Sequence, residues 1–239
     1  MRISLKEFID RLTDVEFSQH QLSRVYDNDE DNKLMNTFIS LVNQGLVELH
    51  RRFLLKRGVI HYQIKDDQYR YKITDDSPNL LSADVPLNLI EVIQIFDECG
   101  LNVPFNNTNR YENDCKYNNN LNIQFTDKDT FTADACHACL KIIYRKGPDK
   151  IPRVEEGKLF DPSRYDLDID YSFLDALTFY CAQRMFAVAA PLEGYAAMYS
   201  PAILYRKKYE EECIRLEASK LDLEGTGDSG QRFYDSRLP

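Results

Sequence analysis

The sequence predicts an α+β fold: a helical bundle or hairpin, built from N-terminal helices plus two C-terminal helices, with an inserted antiparallel β module and a flexible C-terminal tail. Three observations predict it. Apolar residues recur at helical spacing near both ends of the chain, the period shortens to two in the middle, and the final residues lose all periodicity. The expected boundaries are N-terminal helices in residues 1–53, the β module in 54–147, a linker and helical hairpin in 148–221, and an extended tail in 222–239. With 43% hydrophobic and 29% charged residues among 239, the chain can bury a proper core, which excludes global disorder and fibrous repeats.

Ser4 and Glu7 have the spacing of a capping box, and Leu5, Phe8, Ile9 and Leu12 recur at helical intervals, so a helix follows Ser4. After an acidic connection, Met35, Phe38, Ile39, Val42, Leu46, Leu49 and Phe53 trace one face of an amphipathic helix of about five turns. The period then changes. Residues 59–74 read as extended around a turn at Asp66-Asp67, with Tyr69, Tyr71 and Ile73 alternating against Arg70 and Lys72. A polar turn region with Pro78 and Pro86 leads to an isoleucine-rich strand at 89–96. The turn Asp97-Glu98-Cys99-Gly100 and then Leu101 and Val103 complete the layout of a hairpin. Further strands are expected at 121–125 and 139–145. Residues 102–122 hold nine asparagines in twenty-one positions and are expected to form an exposed loop.

A polar stretch at 147–170 with three prolines returns the chain to helix. Residues 173–190 are apolar on nearly every side, so that helix must be either central or covered by other subunits, with Ala176, Ala182, Ala187 and Ala189 permitting close contact. Pro191 and Gly194 are expected to break it. Ser200-Pro201 then offers an N-cap and a first-turn proline for a last helix whose buried face carries Tyr205, Tyr209, Cys213 and Leu216. Its wet face should carry the i,i+4 pairs Lys207–Glu211 and Glu211–Arg215.

Thirty basic against thirty-nine acidic residues give a net charge of −9, which repels nucleic-acid phosphates and argues against a DNA-gripping surface. Met1 to Leu5 has no signal-peptide pattern and no apolar stretch is free of polar residues, so an intracellular protein without a membrane span is expected. The six cysteines then read as reduced thiols. Cys136-His137-Ala138-Cys139 has the CxxC spacing of a zinc or dithiol site, but no second CxxC or paired histidines complete four ligands, so packing or surface thiols are the simpler reading. Phosphate-cradle, nucleophile-elbow and zincin motifs are absent from the sequence, and no metal, cofactor or catalytic residue is nominated. The acidic runs at 27–31 and 166–170 read as solvated or helix-start charge, with calcium binding the alternative. The basic cluster at 51–57 reads as helix C-terminal charge complementing the dipole, or as a contact with an acidic neighbouring subunit.

Behind the glycine-containing spacer from Asp222, the chain ends Gln231-Arg232-Phe233-Tyr234-Asp235-Ser236-Arg237-Leu238-Pro239. Aromatic and arginine side chains are favoured interface anchors, so this segment reads as a partner-docking tail or as a frayed terminus.

The order of elements resembles the head-to-tail adaptor (connector or neck) proteins of short-tailed, podovirus-type bacteriophages. The resemblance rests on the run from Leu46 to Leu55 that carries a long helix into the β module, and on Pro86-Leu87-Asn88-Leu89-Ile90-Glu91-Val92 leading to Asn102-Val103-Pro104-Phe105. It rests further on Ile142-Ile143-Tyr144-Arg145-Lys146, and on Leu174-Asp175-Ala176-Leu177 opening the alanine-rich helix. It implies a structural virion protein at the head-tail interface, in a ring of about twelve copies, bound to the portal protein and to the tail nozzle. DNA would pass through the centre without specific binding, no membrane is involved, and Arg232, Phe233, Tyr234, Arg237 and Leu238 would be the portal-engaging anchors. Two other classes stand beside it: an intracellular adaptor capturing protein segments on exposed β edges, and an unrecognised hydrolase.

Overall fold

The computed structural model describes residues 3–16, 31–65, 68–106, 122–134, 138–155, 160–193 and 195–219. The fold is α+β, with helices and antiparallel sheets as expected. The chain divides into two compact units: Met1–Phe53 with Pro148–Pro239, and Leu54–Gly147.

In the first unit, helix α1 (Leu5–Arg11) starts as its cap dictates, with the Ser4 hydroxyl accepting from the Glu7 N–H at 3.2 Å. A π-helical turn, Leu12–Glu16, extends it. The returning chain holds α1 at its start, where the Leu5 N–H donates to the Tyr165 carbonyl at 2.7 Å and the Leu167 N–H to that of Ile3 at 2.8 Å. Helix α2 (Asp31–Arg52) buries Met35, Phe38, Ile39, Val42, Leu46 and Leu49, the stripe its spacing predicts. Phe8 meets Phe38 across α1 and α2, and Phe53 lies edge-on to Phe173 at 5.0 Å.

Helix α3 (Leu174–Glu193) packs against both α2 and α4 (Tyr195–Ser219). It is central, yet not covered all round: Ala176, Leu177, Cys181, Ala182 and Phe186 are buried while Arg184 and Ala187 face solvent. Tyr205 stacks on Phe186 at 5.4 Å and Tyr209 meets Tyr180 edge-on at 5.7 Å, so aromatic rings fill the α3–α4 seam. Three expectations are corrected here. Pro191 lies inside the last turn of α3 and does not break it. Helix α4 begins at Tyr195, so Ser200 is no cap and Pro201 sits within the helix. A proline removes one intrahelical hydrogen bond, and a 25-residue helix that buries Ala202, Tyr205, Tyr209, Cys213 and Leu216 keeps the others. Arg215 pairs with Glu212 at 2.8 Å, one turn back at i,i+3, and not with Glu211, which pairs with Lys207 at 3.6 Å as expected.

The second unit holds two antiparallel sheets. One has the order β3 (Leu80–Ala83), β1 (Arg57–Ile64), β7 (Ala138–Lys146), β4 (Leu89–Phe96); the other has β2 (Arg70–Lys72), β6 (Thr130–Asp134), β5 (Asn122–Phe125). Their inner faces share one apolar cluster in which Tyr62 of β1 meets Phe131 of β6 at 5.6 Å and Tyr71 of β2 at 6.1 Å. Strands β3 and β6 stand where no strand was expected. Strands β1 and β2 are consecutive in sequence but lie in different sheets. The expected hairpin after β4 is one bridge, Phe96 to Asn102, closed by Asp97, whose carboxylate accepts from the Cys99 and Leu101 N–H groups. The principal partner of β4 is β7.

Candidate functional site

Arg232, Phe233, Tyr234, Arg237 and Leu238 lie outside the described residues. So do Cys136 and His137 of the CxxC, residues 107–121 of the asparagine-rich segment, and residues 27–30 of the first acidic run. The ends of the asparagine-rich segment are fastened: Phe105 bridges Ile123, and the Asn106 side chain accepts from the Phe125 N–H at 2.7 Å.

The remaining candidates are explained by structure. Cys139 is a half-buried free thiol on β7. Cys181 and Cys213 are buried, and burial pushes both thiols up, Cys213 to about 11, with Tyr209 and Arg52 only partly offsetting it. Raised thiols are poor nucleophiles. In the second acidic run, Asp168 accepts from the Asp149 N–H, and Asp170 caps a short 3-10 turn by accepting from the Ser172 N–H at 2.9 Å. Among the described residues no group of three or more His, Cys, Asp or Glu could hold a metal ion.

The basic cluster places His50, Arg51 and Arg52 in the last turn of α2, the helix C-terminal charge that was expected. Arg52, the last residue of α2, reaches across to α4 of its own unit and bonds Glu210 at 2.8 Å and Glu217 at 2.7 Å. Desolvation disfavours its charge, yet the two carboxylates outweigh that and hold its pKa raised. Glutamates seven residues apart lie on one face of a helix, which sequence periodicity does reveal; their partner, 158 and 165 positions earlier in the chain, it does not.

Among the described residues one serine–histidine contact exists: His61 Nδ1 lies 2.9 Å from Ser82 Oγ across β1 and β3. A hydrolytic triad needs a carboxylate on the other ring nitrogen, and none is bonded there among the described residues.

Surface features remain in each unit. In the helical unit, a groove of about 590 Å³ runs between α2 and residues 150–153. Val47, Pro152 and Tyr180 supply its apolar surface, and Arg51, Lys150 and Arg153 outnumber Glu48 among its charges. The Arg184 guanidinium, 5.5 Å from the centre of the Tyr180 ring, adds a further cation beside it. On the outer side of α4, Ile203, Leu204 and Ile214 are 53%, 52% and 59% exposed. In the β unit, Leu81 and Val85 are exposed beside the free edge of β3, where a bulge between His61 and Tyr62 turns both Leu81 and Ser82 outward. A second cavity of about 600 Å³ in this unit has Arg70, Lys72, Asp76 and Asp129 among its lining. Among the described residues no helix is long and apolar enough to cross a membrane.

Compared with known proteins, the chain matches no family model and no curated protein.

Proposed function

We propose that this chain is a structural virion protein, a head-to-tail adaptor whose copies close into a ring joining the portal to the tail and lining the channel for DNA packaging and ejection. The observation that carries the reading is the apolar surface left uncovered on α4, where three large aliphatic side chains are each more than half exposed in the helical unit. Closed rotational symmetry gives such a surface a partner in every copy. The net charge of −9 also suits a conduit, because a basic lining would hold the genome's phosphates in transit. In this reading Arg232, Phe233, Tyr234, Arg237 and Leu238 engage the portal. Light scattering of the chain, alone and with portal rings, tests it. Ring-sized assemblies are expected; a chain that stays solitary in both samples contradicts the proposal.

A second reading, a protein-binding adaptor, is favoured by one observation, the exposed Leu81 and Val85 beside the free edge of β3, where an extended segment could add as a further strand.

A further inference from the structure

Helix α4 ends at Ser219, two residues after Glu217, whose carboxylate accepts from Arg52 at 2.7 Å. Arg51, next to it on α2, lines the groove of the helical unit, and so does Tyr180, which meets Tyr209 of α4 edge-on. The chain therefore leaves α4 beside the Arg51 end of that groove. Residues 220–239 lie outside the described residues, and the first five read Lys220-Leu221-Asp222-Leu223-Glu224. Extended, such an alternation has one face of two leucines and an opposite face of one lysine and two carboxylates.

The groove has matching parts. Val47, Pro152 and Tyr180 supply apolar surface, and Glu48 is the one carboxylate in the lining. Lys150 and Arg153 are exposed and join no ion pair among the described residues. Because Ile151 is bonded to Asn43 and Val154 to Asn36, Lys150 comes before Arg153 along the groove from its Arg51 end. Five extended residues span about 16 Å, against about 18 Å for the α2 side from Arg51 back to Ile39.

We infer that residues 220–224 fold back into the groove of their own copy, with Leu221 and Leu223 laid on Val47, Pro152 and Tyr180. Asp222 then meets Lys150, Glu224 meets Arg153, and Lys220 stays at the entrance. The tether favours this occupant over a separate molecule, because a segment joined directly to α4 is held beside the groove at high effective concentration. The contact fixes where the tail leaves the helical unit. It goes beyond the adaptor reading and does not depend on it, since every group involved belongs to one copy.

Disulfide trapping in the full chain tests it. Gln44→Cys on the groove wall is combined with Leu223→Cys or, as the outward-facing control, with Asp222→Cys, and each pair is oxidised with copper phenanthroline. Gln44, Lys150 and Arg153 are exposed, so melting temperatures should match the wild type. Non-reducing electrophoresis and peptide mass then locate the bridge. The Leu223 pair should bridge within one chain, and the Asp222 pair about tenfold more slowly, because only one face of the segment reaches the groove. Adding Lys150→Glu and Arg153→Glu to the Leu223 pair should slow trapping by about fivefold. Absence of the Leu223 bridge, equal rates for the two pairs, or a bridge found only between two chains would each overturn the inference and leave the ring untouched. Trapping indifferent to the charge reversals would overturn the parts given to Lys150 and Arg153. A chain that traps this bridge yet ignores portal rings would remove the adaptor reading alone.

Discussion

Asn36 and Asn43 stand seven residues apart on α2, and each grips the returning chain by both ends of its amide. Asn43 donates to the Ile151 carbonyl at 2.9 Å and accepts from the Ile151 N–H at 3.0 Å; Asn36 does the same for Val154, at 3.1 and 2.7 Å. Seven helical residues rise about 10.5 Å, and three extended residues cover about 10 Å, so helix and segment share a repeat. The segment obtains from side chains the backbone partners that a neighbouring strand would provide. Asn43→Ala strands both polar groups of Ile151, which is 4% exposed, and should cost about 2 kcal/mol in urea unfolding. Asn43→Asp keeps the shape but sets a carboxylate against the Ile151 carbonyl, and should cost a similar amount. A loss below about 0.5 kcal/mol in both would contradict the pairing.

Gly45 offers a test by sign. Alanine in a helix interior ordinarily stabilises by about 1 kcal/mol relative to glycine. Here a Cβ would come within 2.6 Å of Leu177 Cδ1 and 2.8 Å of Tyr180 Cδ1 on α3, an overpacking cost of about 1–3 kcal/mol. Gly45→Ala should therefore lower the melting temperature, and a rise would show that α2 and α3 do not approach so closely.

The Arg52 fork should tell arginine from lysine. Arg52→Lys keeps the charge but cannot span Glu210 and Glu217 with two directed bonds, and both glutamate side chains are about half exposed. The expected loss is about 1 kcal/mol, smaller at high salt, measured by urea unfolding at two ionic strengths. Equal stability of Arg52→Lys and wild type at low salt would contradict the fork.

Alkaline pH should unfold the protein through two buried acids. Burial pushes Cys213 from its ordinary 9.0 up to about 11, and burial, followed by the nearby Asp84 and Asp75, pushes Tyr144 from 10.0 up to about 12. Both are neutral when protonated and raised by folding, so their contribution is full below about pH 9 and is lost as pH climbs through about 11 and 12. Urea midpoints followed from pH 8 upward should be level and then fall, and Cys213→Ala should reduce the earlier part of the fall. A midpoint that stays level through pH 12 would contradict the burial of both groups.

Deleting residues 225–239 should abolish docking to the portal while leaving the melting temperature unchanged. Co-sedimentation with portal rings reads the first and a thermal scan the second; undiminished docking would remove the tail from the adaptor mechanism.

Where structure follows from neighbours in sequence, it was legible. The Ser4 cap, the apolar stripe of α2, the Tyr205–Leu216 face of α4 and the strands around Ile60, Ile95 and Ile142 all declare themselves by spacing. What escaped depends on partners far along the chain. Strand β3 has only four residues between polar turns and forms because β1 lies beside it. Strand β6 is threonine-rich and short, and joins β5 to β2. Pro201 looks like a breaker because local rules weigh one lost hydrogen bond without the packing of Ala202, Tyr205 and Tyr209 that follows it. The groove was illegible for the same reason: Lys150 and Arg153 lie about a hundred positions from Arg51.

Electron microscopy of the chain mixed with portal rings decides whether it is an adaptor. A collar of many copies seated on one end of the portal, with an open axis, is expected. Bare portals beside small, solitary particles would contradict it.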